Sequence, residues 1–260
     1  MESLYVIKIG GNIIDDEVKL SSFLKEFASV GSNKILVHGG GKLATKLADT
    51  LGIKQQLIDG RRITDGETLK VVTMVYAGYI NKNIVAQLQS HGCNAIGLSG
   101  TDANIIKAHK RVHPTIDYGF VGDVDSLNAE RLTQFINSGL MPIIAPITSD
   151  ENGQLLNTNA DTIAQETAKA MSKFYTVQLI YSFEKSGVLL DANDETTVIP
   201  SIDQTYYATL KEEKKIFAGM IPKIDNAFAA LKSGVQKVII GKAEELKNLI
   251  ENKSGTTIIN

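Results

Sequence analysis

The chain has 260 residues, 43% of them hydrophobic, enough to bury a full core as one large domain or as two lobes. A formal net charge of −2 gives no bulk attraction to nucleic acid or an anionic membrane, so any anion site has to be local; the single cysteine, Cys93, excludes an internal disulfide framework and a cysteine-rich metal centre. The N-terminal apolar run is broken by Lys8 and two glycines, too early for a signal peptide, and no 18-residue apolar segment exists, so a soluble, cytoplasmic protein is expected.

Apolar β-formers over 4–9 predict a buried strand that ends on Gly10-Gly11, followed by a helix over 15–30. A second strand over 34–37 runs into His38-Gly39-Gly40-Gly41 and a helix over 41–51. Thr64-Asp65-Gly66-Glu67 has capping-box spacing and opens a helical pattern that continues to about Ser90. A strand from Asn94 to Leu98 comes next, and 104–109 with 117–124, separated by Pro114, read as a β-hairpin projecting from the main sheet. Helix 128–138 leads to a strand containing Pro142; a short hairpin turns at Asn152-Gly153, and Asn159 caps a helix over 160–171. The remainder reads as strands at 174–181 and 187–190, helices at 203–213 and 219–233, a strand at 236–240 and a helix at 243–250. Such alternation predicts a mainly parallel sheet covered by helices on both faces. No repeat or linker divides the chain, so two lobes would share one continuous sheet.

Both glycine clusters lie where a strand hands over to a helix. Helix-start N–H groups lack intrahelical partners and carry the positive end of the macrodipole, and glycine lets a charged ligand approach the main chain. Lys8 sharpens the first of these sites. An ammonium inside an apolar strand costs several kcal/mol to desolvate unless an anion meets it or it snorkels to water, and Gly10 and Gly11 put a bend at its exit point.

The second cluster supports two readings. Gly39-x-Gly41-x-x-Ala44 after a strand fits the loose dinucleotide fingerprint, with Asp59 twenty residues beyond Gly39 and Arg61 and Arg62 available to a 2′-phosphate. Against it, Lys54-Gln55-Gln56-Leu57-Ile58 makes a poor second buried strand, and Lys8 is left unexplained. A P-loop is excluded, since Leu43 stands where Ser or Thr is required and Leu36 where the upstream glycine belongs. Further on, Asn157-Thr158-Asn159-Ala160-Asp161 sets two amides and a carboxylate at a helix start, where Asp161 also suits the dipole for structural reasons alone. Ala218-Gly219-Met220-Ile221-Pro222-Lys223 puts Lys223 near a helix N-terminus, an unfavourable position for a cation unless an anion is bound there.

Lys8-Ile9-Gly10-Gly11, His38-Gly39-Gly40-Gly41, Asp59-Gly60-Arg61-Arg62-Ile63-Thr64, Gly97-Leu98-Ser99-Gly100, Val121-Gly122-Asp123-Val124, Leu156-Asn157-Thr158-Asn159-Ala160-Asp161 and Gly219-Met220-Ile221-Pro222-Lys223 occur in one order along essentially the whole chain. In this the chain resembles the amino acid kinase family, and within it the branch that phosphorylates N-acyl-L-glutamate. The resemblance implies a three-layer αβα sandwich. Residues 1–172 would form an N-terminal lobe for the acylamino acid and for dimerisation, and 173–260 a C-terminal lobe for ATP. The implied reaction is ATP-dependent phosphorylation of the γ-carboxylate of an N-acyl-L-glutamate, N-acetyl-L-glutamate first among them, as the second step of arginine biosynthesis.

Residue by residue, the resemblance gives Lys8 and Lys223 to the transferring phosphoryl group and Asp161 to orienting them. Gly40 and Gly41 would bind substrate through backbone donors, Arg62 would hold its α-carboxylate, and Asn157 the acylamino group. Gly10, Gly11, Ser182, Gly187, Gly219 and Met220 would contact the nucleotide. Mg²⁺ would be held through the ATP phosphates, with no protein metal site. Where family members carry Thr/Ser-Asp-Val-x-Gly-Val, this chain reads Tyr181-Ser182-Phe183-Glu184-Lys185-Ser186-Gly187-Val188 and departs from the pattern at the aspartate. The chain starts at its first strand, which by the resemblance implies a homodimer insensitive to arginine. A succinyl or aminoadipate-type substrate, and a non-catalytic nucleotide-binding sensor, are the alternatives. Lys54, Arg61 and Lys82 are expected to be solvated surface residues.

Overall fold

The computed structural model describes residues 1–58, 61–216 and 220–259. Strand β1 (Ser3–Ile9) leads through a single turn, α1 (Gly11–Ile14), and α2 (Glu17–Ser29) to β2 (Asn33–His38) and α3 (Gly41–Thr50). Two short strands, β3 (Leu57–Ile58) and β4 (Arg61–Arg62), precede α4 (Gly66–Thr73), a π-helical segment over Met74–Ile80, and α5 (Asn81–Ser90). Then come β5 (Ala95–Ser99), β6 (Ile106–Lys110), β7 (Val121–Leu127), α6 (Ala129–Asn137), β8 (Met141–Ala145), β9 (Ile147–Ser149) and β10 (Leu155–Thr158). The chain continues with α7 (Ala160–Met171), β11 (Thr176–Phe183), β12 (Ser201–Ile202), α8 (Gln204–Glu212), α9 (Ile221–Lys232), β13 (Lys237–Lys242), α10 (Leu246–Ile250) and β14 (Thr256–Ile258).

Eight strands form one sheet in the order β12-β14-β13-β11-β1-β2-β8-β5, parallel from β13 to β5, with antiparallel β14 beyond β13 and β12 parallel to it at the edge. Strands from both sides of residue 172 contribute, so the sheet is continuous. The period-2 alternation of a strand decides which helices it meets. Leu4 and Val6 of β1 pack with residues of α6, α7 and α9 such as Leu132, Ile163, Ala168, Ile224 and Phe228. Ile7 and Ile9 point the other way, to Phe23, Phe27, Ala44, Ala48, Ile84 and Leu88 of α2, α3 and α5. The same parity sends Lys8 to the α7/α9 face.

Several boundaries differ from the sequence expectation, each for a local reason. The helix expected over 15–30 begins at Glu17, because the Asp16 carboxylate accepts the N–H groups of Val18 and Lys19 at 3.1 and 3.0 Å and sets the N-cap there. Asp65, not Thr64, caps α4, accepting from Thr68 N–H at 2.8 Å; Thr64 pairs with Gly119 and donates its hydroxyl to the Arg62 carbonyl. The helical run to Ser90 is interrupted by the π-helical segment. Residues 187–190 form no strand, only an isolated bridge between Leu189 and Val198. The helix expected over 219–233 starts at Ile221, and Gly219 lies outside the described residues. The expected hairpin, β6 and β7, closes with β9 and β10 into a small four-stranded barrel beside the sheet.

Candidate active site

The two glycine turns sit at the carboxyl ends of adjacent parallel strands and are stitched together. Gly39 N–H donates to the Ile9 carbonyl at 3.2 Å, and Gly10 N–H to the Ser182 carbonyl at 3.3 Å, so the ends of β2, β1 and β11 form one rim. Crevices outside the carboxyl ends of parallel strands are where α/β sheets receive ligands. Gly40 is the N-cap of α3 at φ +149°, and a Cβ there would collide with Ile80 Cδ1, so the turn lies directly on the π-helical segment.

On the α7/α9 face of this rim three charges meet. Lys8 Nζ lies 2.7 Å from Asp161 Oδ1, and Lys223 Nζ donates to Oδ2 at 2.9 Å. The ammonium of Lys8 thus faces one carboxylate oxygen and that of Lys223 the other. Their side chains are 14%, 22% and 28% exposed for Lys8, Asp161 and Lys223, which weakens solvent screening without removing access. Burial alone would raise the Asp161 carboxyl, but the ammonium of Lys8, and after it that of Lys223, holds it well below the usual carboxylate range. Asp161 is the second residue of α7, whose cap Asn159 accepts Thr162 N–H at 3.1 Å; Lys223 is the third of α9. The carboxylate that a cation at a helix start calls for is thus supplied by the chain itself. Tyr181, register partner of Lys8, donates its hydroxyl to the Asp161 carbonyl at 3.3 Å and carries Lys223 5.9 Å over its ring. Burial, with Asp161 and Glu166 nearby, pushes the Tyr181 phenol well above its ordinary value, so the hydroxyl keeps the proton that it donates.

Beyond the α3 N-terminus a cleft of about 160 Å³ opens between Gly39–Gly41, Arg61, Arg62, Tyr76, Val121 and Asn157–Ala160. Arg62 is buried, and its guanidinium is clamped on β4: Nη2 donates to the Gly41 carbonyl and to Thr45 Oγ1, both at 2.9 Å, and Nη1 donates to Gln55 Oε1. Asn157 donates from Nδ2 to Thr64 Oγ1 at 3.0 Å. The structure therefore brings Lys8, Lys223, Asp161, Gly10, Gly11, Gly40, Gly41, Arg62, Asn157 and Ser182 to one rim. Ser182 is buried, and its hydroxyl has no partner among the described residues. Met220 is the N-cap of α9 and packs partly into the core. Gly187 stands apart, buried where a Cβ would come within 2.7 Å of Thr256 Oγ1, a packing reason for glycine.

Lys54 is exposed, as expected, but the other two cations are not simply solvated. Arg61 lines the cleft, and burial, then the neighbouring Arg111 charge, pushes its ordinary value down. Lys82, although exposed, is tied to Asn81 Oδ1 and the Gly97 carbonyl, each at 3.1 Å. Residues that the sequence did not assign to the site are Thr45 and Gln55, which clamp Arg62, and Tyr181. Thr45 was findable, since it stands four residues after Gly41 and so on the same helix face. Asn12 and Glu184, likewise unassigned from sequence, are joined across the rim, Asn12 Nδ2 donating to Glu184 Oε2 at 2.5 Å.

The amino acid kinase family model matches residues 3–242. The chain belongs to the amino acid kinase family. Its similarity extends to an acetylglutamate kinase of Cytophaga hutchinsonii, 55% identical over 100% of this chain and 99% of that protein, and one of Parabacteroides distasonis, 53% identical over 95% and 96%. The crystal structure of smu.665 from Streptococcus mutans UA159 superposes with a TM-score of 0.80 at 28% identity, covering 98% of each chain. Membership in this family of αβα kinases leaves the dinucleotide reading of Gly39–Ala44 without support. Its required second buried strand is the two-residue β3, and Asp59 lies outside the described residues. Among the described residues no helix is long and apolar enough to cross a membrane.

Proposed function

We propose that the chain transfers the γ-phosphoryl group of ATP to the γ-carboxylate of N-acetyl-L-glutamate, forming an acyl phosphate and ADP, the second step of arginine biosynthesis. The observation that carries this reading is the Lys8–Asp161–Lys223 cluster at the rim shared by the two glycine turns, with the clamped Arg62 in the adjoining cleft. The names of the similar proteins favour the acetyl group over succinyl or aminoadipate-type substrates, and a catalyst over a nucleotide sensor.

A carboxylate nucleophile is ionised at neutral pH, so no general base is needed. The work left to the protein is in-line placement and positive charge around the phosphoryl oxygens. One carboxylate oxygen attacks the γ-phosphorus; the bond from that phosphorus to the β–γ bridging oxygen breaks, and its electrons leave with ADP. Lys8 and Lys223 meet the charge on the phosphoryl and leaving oxygens, and Asp161 keeps two ammonium groups side by side that would otherwise repel. Gly11 offers its N–H on the nucleotide side with Ser182 and Met220, and Gly10, whose own N–H is held by the Ser182 carbonyl, leaves open space for the ligand beside it; Gly40 and Gly41 offer their N–H groups to the substrate. Arg62 meets the α-carboxylate with its charge and with the guanidinium hydrogens that Gly41, Thr45 and Gln55 leave unused, and Asn157 meets the acylamino group.

Mg²⁺ would enter with the nucleotide: Asp161, the carboxylate at the centre of the cluster, is engaged by two lysines, so the ATP phosphates would hold the ion. When bound through the ATP phosphates, Mg²⁺ supplies charge neutralisation. Residues 1–172 act as the acylamino-acid and dimerisation lobe and 173–260 as the ATP lobe of a cytoplasmic homodimer with small-molecule partners only. The test is ATP-dependent turnover with hydroxylamine trapping across N-acetylglutamate, N-succinylglutamate, glutamate and aspartate. N-acetylglutamate is expected to give hydroxamate with the highest kcat/KM; turnover with none of them would overturn the reading.

A further inference from the structure

Just behind the second glycine turn lies a buried polar chain that the phosphoryl-transfer chemistry does not use. His38, fully buried at the end of β2, has Nδ1 2.9 Å from the Gly39 carbonyl and Nε2 3.1 Å from Asn81 Nδ2. Asn81, also buried, is the first residue of α5, directly after the π-helical segment, and its Nδ2 donates to the Ile143 carbonyl of β8 at 2.9 Å. Its Oδ1 accepts from Lys82 Nζ.

The chemistry of the partners fixes every proton. A carbonyl and an ammonium identify which amide atom faces each, so Nδ2 is the donor toward Ile143, and its second hydrogen points at His38 Nε2. Nε2 is then an acceptor, and Nδ1 carries the ring proton and donates it to the Gly39 carbonyl. Burial, only partly offset by the Gly39 hydrogen bond, pushes His38 down to about 4, which agrees with a neutral ring at physiological pH. Gly97 supplies an independent sign that this arrangement is built. A Cβ in the middle of β5 at that position would collide with Asn81 Oδ1, so the Gly97-Leu98-Ser99-Gly100 segment has its glycine where the amide must enter.

We propose that His38 and Asn81 are a positioning pair that holds the Gly39 carbonyl, and through it aims the N–H groups of Gly40 and Gly41 at the acceptor substrate. Gly39 is thereby fixed at both ends, its N–H on Ile9 and its C=O on His38. Gly40 rests on Ile80 and Tyr76 of the segment that runs directly into Asn81, so one continuous stretch of helix supports the turn from below and from behind. Gly40 and Gly41 N–H have no backbone acceptor among the described residues and remain free for a ligand. Neither His38 nor Asn81 touches the substrate. This inference rests on the assignment of Gly40 and Gly41 to the acceptor side.

The tests use the full chain. With 15N-labelled histidine, NMR at about pH 7 is expected to find one of the four histidines neutral with its proton on Nδ1; His38 found as the Nε2–H tautomer or as imidazolium overturns the relay without any variant. Kinetically, Asn81→Leu and His38→Leu are expected to raise KM for N-acetylglutamate about ten- to a hundredfold, with KM for ATP changed less than about threefold. His38→Asn, whose amide can still donate to the Gly39 carbonyl, is expected to recover most of the His38→Leu loss. Equal effects on both substrates, or a lowered melting temperature with unchanged KM values, would assign the pair to stability alone and overturn the proposal. If the wild-type chain itself turns over no acyl-glutamate, the kinase reading fails, and that outcome is distinct from failure of the relay.

Discussion

Lys8 is a cation in a strand whose flanking residues are buried and apolar, and Asp161 is what makes that position tenable. Arginine at position 8 would keep the charge but replace a compact ammonium by a longer planar fork. Lys8→Arg is therefore expected to lower kcat by about two to three orders of magnitude with a smaller change in KM, read by steady-state kinetics in both substrates. Asp161 has its own signature in stability. Its carboxyl is depressed in the folded state, so its pairing contributes fully above the ordinary carboxylate value of 3.8 and is lost as pH falls through the folded value below it. Denaturant unfolding of wild type and Asp161→Asn is expected to show a constant gap between about pH 5 and 8 that narrows only below about pH 4. Arg62→Lys is expected to raise KM for the acylamino acid by about tenfold or more and leave KM for ATP alone, because an ammonium that satisfied Gly41, Thr45 and Gln55 would have no donor left for a carboxylate. The two lysines of this site were legible as sequence because each looked misplaced, one in a strand and one at a helix start, whereas Asp161 suited its helix start and, like Arg62, gained its role only through the family resemblance. The supporting residues were not legible, since Gln55, Thr45 and Tyr181 are ordinary residues whose role comes only from through-space neighbours.

Among the elements, the strand-to-glycine-to-helix junctions follow directly from hydrophobic run length and glycine placement. The segment Met74–Ile80 does not. Its apolar pattern continues that of the flanking helices, and nothing in it marks the π-helical winding that sets Tyr76 and Ile80 under Gly40. Gly40→Ala would have to adopt φ +149° and displace Ile80, so a loss of roughly 1–3 kcal/mol is expected from the backbone alone, visible as a lower melting temperature together with a raised KM for the acylamino acid. The α2 start shows the opposite failure. An apolar pattern cannot say which of two neighbouring aspartates caps the helix, and Asp16 wins because its carboxylate reaches two N–H groups. The stretch 187–190 reads as a strand because it is apolar, yet Gly187 and Val188 pack against Thr256 and only Leu189 finds a bridge.

For the whole molecule, regular alternation of strands and helices made the parallel sheet legible, whereas the barrel was not, because strands as short as β9 carry too few residues to register a closure. The continuous sheet holds β1, β2 and β11 in register, so the glycine turns and the Lys8–Asp161–Lys223 cluster share one frame and need no domain docking to meet. The proposed homodimer is expected to sediment at twice the 28.2 kDa chain mass; a monomer or a hexamer would contradict this. The central claim is that this rim moves a phosphoryl group onto a carboxylate. Phosphorus-31 NMR of the wild-type protein with ATP, Mg²⁺ and N-acetyl-L-glutamate tests it most directly. An acyl phosphate resonance growing in step with ADP is the expected result; inorganic phosphate released with the acyl amino acid unchanged, or no consumption of ATP, would contradict it.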